Sequence, residues 1–178
     1  ILLCSNCSPL SSPDRPRLID DLSELGERAA RRNMRVGYEA LAWARHTFDH
    51  RDAWSLIRDV NHPAIGLILD SFHSLARRVP SASIGDIRVE KLFLVQIADA
   101  PWLDMDYLSW SRHFRNMPGQ GDLPLTDFAE AIFRLGRSGD LIARERECIV
   151  ALSRLVQYAG HEDFDDDTPE QITPLFPR

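Results

Sequence analysis

An alternation constrains the fold of this chain more than any other feature. Short apolar runs rich in Leu, Ile and Val recur between longer stretches of helical spacing, which is the pattern that βα units and a parallel sheet produce. "ILLCSN" (1–6), "RVGYEAL" (35–41), "AIGLILD" (64–70) and "KLFLVQIAD" (91–99) read as strands. "RPRLIDDLSELGERAARRN" (15–33), with Leu18, Leu22, Leu25 and Ala29 on one face, reads as a helix, as do "RDAWSLIRDV" (51–60) and "FHSLARRV" (72–79). Asn61, His62 and Pro63 punctuate one crossover, and Pro80 is expected to end a helix. Residues 100–122 read as a long irregular loop carrying the turn "PGQG", and a loop of that length is more often functional than idle. "LTDFAEAIFRLG" (125–136) is expected to be a helix capped by Thr126 or Asp127. A long amphipathic helix is expected over 140–160, followed by a disordered acidic tail over 161–178.

The 178 residues, 44% of them hydrophobic, can bury one sizeable core. The net charge of −6 is concentrated in the tail, where six acidic residues face a single Arg, so the body is nearly neutral. No basic stripe is present for a phosphate backbone, and nucleic acid is not an expected partner. No apolar run approaches the roughly 20 residues that span a bilayer, and the first residues show neither a basic leader nor a cleavage pattern. The expectation is a soluble cytoplasmic protein with no membrane partner, possible as a homo-oligomer. Cys4, Cys7 and Cys148 are odd in number, which predicts reduced thiols. "CSNC" has the spacing of a metal or redox pair but lacks a second pair of ligands for zinc, and the tail lacks the glycine that a calcium loop needs.

Three of the expected strands end in a side chain that can hold a hard cation: Glu39 in "VGYEAL", Asp70 in "GLILD" and Gln96 in "FLVQIAD". Their separations of 31 and 26 residues are each about one βα unit. In a barrel of parallel strands such ends converge on one rim, where three oxygen donors would suit Mg²⁺ or Mn²⁺. Each also has a plainer explanation. Asp70, followed by Ser71, could cap the next helix, and Glu39 could end a strand in solvent. Gln96 is harder to dismiss, because a buried unpaired amide costs about 1–3 kcal/mol. His73, three residues past Asp70, is placed one helical turn from that carboxylate, as a general acid or base or as a packed helix-start histidine. His46 follows the Glu39 strand in a similar way, with Asp49 placed to orient it or with both in a surface loop. Arg112 and Arg115 in "SWSRHFRN" would suit a carboxylated small-molecule substrate, which guanidinium binds through two oxygens, although loop arginines are commonly solvated.

Together, "GYEALAWARHTFDHRDAW", "GLILDSFHSLAR", "FLVQIADAP" and "LSWSRHFRNMPGQGDLP" resemble the 3-dehydroshikimate dehydratases, within the xylose-isomerase-like TIM barrels of the sugar phosphate isomerase and epimerase superfamily. The resemblance covers roughly residues 1 to 140. It implies an α/β fold, a (β/α) TIM-type barrel, with one divalent cation (Mg, Mn or Co) held by Glu39, Asp70 and Gln96. It also implies His73 as catalytic acid/base beside Glu39, and Ser111 and Arg115 as substrate contacts. The implied reaction is loss of water from 3-dehydroshikimate to give protocatechuate, a step of quinate and shikimate breakdown.

Such a barrel takes about 250 residues, and this chain opens on what reads as the third strand, so an incomplete barrel of about strands three to seven is expected. The expected divisions are a partial barrel over 1–140, a helix over 141–160 and the tail over 161–178. The family's last carboxylate ligand is expected near "GDLIAR" (139–144), where Arg144 stands with Glu145 beside it, which predicts impaired activity. Two other readings stay open from sequence: a related sugar or hydroxyacid isomerase or epimerase, and an inactive barrel remnant acting only through binding.

Overall fold

A computed structural model describes residues 1–137. The expected helix at 140–160, the acidic tail, Cys148, Arg144 and Glu145 lie outside the described residues. Four parallel strands, β1 (Leu2–Cys4), β2 (Val36–Glu39), β3 (Ile65–Asp70) and β4 (Leu92–Gln96), form one sheet in the order in which they occur in the chain. The connecting helices are α1 (Arg15–Ala30), α2 (His50–Val60) and α3 (Ser71–Ala76), followed after β4 by α4 (Tyr107–His113) and α5 (Leu125–Arg137). The alternation in the sequence therefore becomes a parallel sheet with helical crossovers. No helix among the described residues is long and apolar enough to cross a membrane.

β2 and β3 are buried at every position because each lies between two neighbouring strands, which is why "IGLILD" reads as continuous apolar sequence. Ile65, Leu67 and Leu69 join Val36, Tyr38, Leu56 and Ile57 in the core, each large aliphatic side chain contributing about 1.5–3 kcal/mol on burial. The register places Cys4 level with Glu39, and Asp70 level with Gln96. The second pairing depends on an irregularity: Leu67 pairs with Leu92, but Ile68 pairs with Leu94, so Phe93 is the extra residue of a bulge in β4. Were Phe93 instead paired with Ile68 in an unbroken register, Asp70 would stand opposite Val95, and the Gln96 amide would be out of step with it.

Helix limits follow local chemistry. Asp14 caps α1 through the Arg17 amide, and the helix stops at Ala30, three residues before the expected end, with Asn33 at φ 54°. Asp49 caps α2 by accepting from the amides of Arg51 and Asp52, and left-handed Asn61 ends it. α3 is shorter than expected, because Arg78 at φ 56° breaks it before Pro80 is reached. α5 begins at Leu125, so Thr126 and Asp127 lie in its first turn and do not cap it.

Residues 100–122 are not wholly irregular. α4 lies inside that segment, capped by Asp106, and Asp99 pairs with Asn116 across a short bridge. Asp99 organises the remainder. Its carboxylate accepts from the backbone amides of Ala100 and Leu123 on Oδ1 and of Gly119 and Gly121 on Oδ2, at 2.8 to 3.1 Å. Gly119 adopts φ 85°, and a Cβ on Gly121 would lie 2.5 Å from Asp99 Oδ1, so "PGQG" is the sequence that lets the loop wrap this carboxylate.

A second buried polar group ties the helices together. His50 Nδ1 is 2.8 Å from Ser74 Oγ, and His50 Nε2 is 2.7 Å from Ser83 Oγ. Burial lowers the His50 pKa from 6.5 to about 4. The unfolded chain therefore binds a proton at His50 between these limits while the folded chain does not, so this group's stabilisation is present above pH 6.5 and lost as pH falls toward 4. In urea unfolding at pH 7, 5.5 and 4.5, His50→Gln is expected to reduce the acid loss of stability by up to ~3 kcal/mol, and an unchanged pH dependence would contradict this role. Asp99→Ala is expected to cost about 3 kcal/mol or more at neutral pH, by orphaning four amides, while distant α1 variants such as Glu24→Ala stay within about 0.5 kcal/mol.

Candidate metal centre

The ends of β2, β3 and β4 deliver three oxygen donors to one place. Glu39 and Asp70 are both buried, and Gln96 is half-buried beside them. The Gln96 amide oxygen lies 3.0 Å from Glu39 Oε1 and 3.2 Å from Asp70 Oδ2, with only acceptors in front of it. Turned over, the amide would donate its nitrogen to both carboxylates. Oxygens bound to Mg²⁺ at 2.0–2.1 Å and at right angles to one another would be about 3.0 Å apart, so the spacing fits a shared divalent cation. With a cation the amide oxygen would face the carboxylates, and without one the nitrogen would.

Electrostatics point the same way. Burial, and then the charge of Asp70, raise the Glu39 pKa above its usual value, because two carboxylates close together in a dry site resist ionising together. Cys4, level with Glu39 across the β1 and β2 pair, donates its thiol to Glu39 Oε2 at 3.4 Å and leaves Oε1 facing Gln96. Burial and Glu39 push that thiol's pKa up to about 11. Cys4 and Cys7 are free thiols among the described residues.

Asp70 caps α3 with one carboxylate oxygen and leaves the other facing the cluster. Its Oδ1 accepts from the Phe72 amide at 2.8 Å and caps α3, while Oδ2 faces Gln96 and accepts from Arg115 Nη1 at 2.8 Å. Ser71 fastens the same helix start to the chain beyond β4, donating to the Ala98 carbonyl and accepting from its amide. The first turn of α3 then places His73 Nε2 3.8 Å from Glu39 Oε1 and 3.9 Å from Asp70 Oδ2. Edges of Trp43 and Phe72 wall the imidazole at 5.0 and 5.7 Å between centroids, and burial lowers its pKa from 6.5 to about 4.

Arg115 reaches the cluster from beyond α4. Its Nε donates to Ser111 Oγ at 3.0 Å, and its guanidinium lies 4.7 Å from the Phe72 ring centroid, so Ser111 and Arg115 arrive together. Two expected residues do not. Arg112 is exposed on the last turn of α4, and its guanidinium makes no hydrogen bond or ion pair among the described residues. His46 is exposed, lies 3.0 Å from the Ser11 carbonyl and lines a separate cavity of about 540 Å³ with Tyr38, Thr47 and Leu18. Asp49 does not orient it, being held by Arg51 and the start of α2. Trp43 and Cys4 were not singled out for this cluster from sequence. The level pairing of Cys4 with Glu39 was the available signal, but it requires the register.

Comparisons with known proteins agree with this architecture. The curated 3-dehydroshikimate dehydratase of Pseudomonas putida is 48% identical over 141 residues, which is 79% of this chain and 22% of that protein. The Pseudomonas aeruginosa protein of the same description is 47% identical, with the same two coverages. A solved structure described as a xylose isomerase-like TIM barrel/4-hydroxyphenylpyruvate dioxygenase fusion protein matches with TM-score 0.76 and 42% identity, over 89% of this chain and 27% of that one. The structure of the IOLI protein with a binding zinc atom matches with TM-score 0.70 at 21% identity, over 89% of this chain and 62% of that one, and shares the fold. This chain thus spans only about a fifth of the length of the two Pseudomonas relatives. The xylose isomerase-like TIM barrel family matches residues 6–147, and the chain belongs to that family.

Proposed function

We propose that this chain carries the cation-binding and proton-handling strands of an enzyme that dehydrates 3-dehydroshikimate to protocatechuate. The observation that carries the reading is the convergence of the Glu39 and Asp70 carboxylates and the Gln96 amide at neighbouring strand ends, with His73 Nε2 within 4 Å of both carboxylates. The relatives described as 3-dehydroshikimate dehydratases support the substrate, and they match better than the inosose isomerase of Bacillus subtilis, which is 27% identical. A sugar isomerase is accordingly not favoured.

Glu39, Asp70 and Gln96 would hold the divalent cation, Mg²⁺, Mn²⁺ or Co²⁺ by the hardness of an all-oxygen set. When bound, it supplies Lewis acidity to a ketone and makes the neighbouring carbon acidic. His73 Nε2 and Glu39 Oε1 form the pair through which protons pass as the β-hydroxyl leaves and the ring becomes aromatic. Arg115, oriented by Ser111, offers a guanidinium to the substrate carboxylate, and Trp43 and Phe72 give the site a water-excluding wall. The free thiols Cys4 and Cys7 are consistent with a cytoplasmic setting.

The full chain, given Mg²⁺, Mn²⁺ or Co²⁺ and 3-dehydroshikimate, is expected to form protocatechuate, followed by its ultraviolet absorbance. Chelation should abolish the product, and His73→Gln should lower kcat by about 10²- to 10⁴-fold. No product with any of the three metals would contradict the proposal for this chain.

A further inference from the structure

α3 holds one residue of the preceding βα loop from both sides. Ala42, wholly buried just beyond β2, donates its amide to His73 Nδ1 at 3.1 Å, and its carbonyl accepts from Arg77 Nε at 2.6 Å. His73 and Arg77 stand four residues apart at the start and the C-cap of α3, so one helical turn separates the two grips. The Arg77 guanidinium is itself fixed between two rings, 4.2 Å from the Phe48 centroid and 4.7 Å from that of Tyr107.

This arrangement decides where the imidazole keeps its proton. A backbone N–H can only donate, so Nδ1 must present its lone pair to Ala42, and a neutral imidazole then carries its one proton on Nε2. A second donor makes a competing claim, since Arg115 Nη2 lies 3.2 Å from Nε2. One neutral ring cannot accept from both. Ala42 is buried, and its amide has no water to turn to, whereas Arg115 keeps Asp70 and Ser111 as partners and its side chain is 29% exposed. Orphaning the buried backbone donor is the costlier outcome, so Nδ1 is the acceptor and the more exposed Arg115 must turn its Nη2–H away from Nε2, keeping Asp70 and Ser111 as partners.

We propose that Arg77 is a positioning residue for His73: by holding the Ala42 carbonyl between the Phe48 and Tyr107 rings, it keeps the Ala42 amide on Nδ1 and the imidazole proton on Nε2. This rests on the assignment of His73 as a proton-handling group, and it divides the work of that pair. The neutral His73 meets substrate as a hydrogen-bond donor, and Glu39 Oε1, 3.8 Å away, is the acceptor. A neutral imidazole can act in this way because its Nε2–H polarises an oxygen without the ring first being charged.

Nitrogen-15 NMR of the histidine-labelled full chain, kept metal-free with a chelator at pH 7.5, reads the tautomer directly and needs no turnover. The His73 signals are assigned by their loss in His73→Gln. The wild-type chain should show one protonated-type and one bare-type ring nitrogen, with the proton assigned to Nε2 from two-bond couplings. In Arg77→Met both signals should move toward the tautomer average, and Arg77→Lys should restore part of the split. A wild-type ring protonated at Nδ1 would overturn the proposal whether or not any variant folds. An unchanged tautomer in folded Arg77→Met would overturn the role of Arg77. Should Arg77→Met fail to fold, Phe48→Leu, which removes one wall of the guanidinium seat, is judged by the same two outcomes. Loss of dehydratase activity alone bears on the assigned reaction and leaves this readout intact.

Discussion

Two buried carboxylates held close together are the constraint around which the described structure is organised. Glu39 and Asp70 end neighbouring parallel strands whose backbone groups pair within the sheet, so their charge must be met by side chains or by an ion. Every polar group near them answers that need. The Cys4 thiol takes one oxygen of Glu39, the Phe72 amide takes one oxygen of Asp70, and Arg115 approaches the oxygen left over. Gln96 faces the remaining gap, where its amide can serve a cation or substitute for one. Two buried carboxylates this close are costly without compensating charge, and their spacing from Gln96 is compatible with a hard divalent ion.

The fold supplies the placement through few devices. Parallel strands bring their ends to the same edge, a one-residue bulge at Phe93 sets Gln96 level with Asp70, and the first turn of α3 lifts His73 over both acids. The loop wrapped around Asp99 carries the chain from β4 through α4 to Arg115 and back, so a carboxylate outside the cluster determines where its arginine stands. The α3 cap uses one oxygen of Asp70 and leaves the other facing Arg115 and Gln96, so capping does not exclude the proposed ligand role.

Much of this was legible in the amino-acid order. Strands and helices follow from the change of hydrophobic period, and Glu39, Asp70 and Gln96 are visible because each puts a polar end on an apolar run. What was not legible depends on contacts between residues far apart in sequence. α4 has seven residues, too few to show a period; it starts at the Asp106 cap, and its Trp110 packs against Phe72 and Trp102. α3 ends short of Pro80, the stop visible in sequence, because the left-handed turn at Arg78, which sequence does not show, comes first. His50 and Asp99 look like ordinary polar residues at the ends of elements, and only burial with specific partners shows that they fasten the structure. His46 was placed by analogy with His73, but the chain after β2 turns it toward Ser11 and away from the acids.

The central claim, that three strand-end oxygens form one cation site, is tested most directly by titrating Mn²⁺ into the metal-free full chain and following the free ion by electron paramagnetic resonance. The account predicts one bound ion per chain, displaced by Mg²⁺, with affinity lowered at least about 100-fold in Asp70→Asn and in Glu39→Gln. Binding that is absent from the wild-type chain, or that both variants leave unchanged, would contradict it.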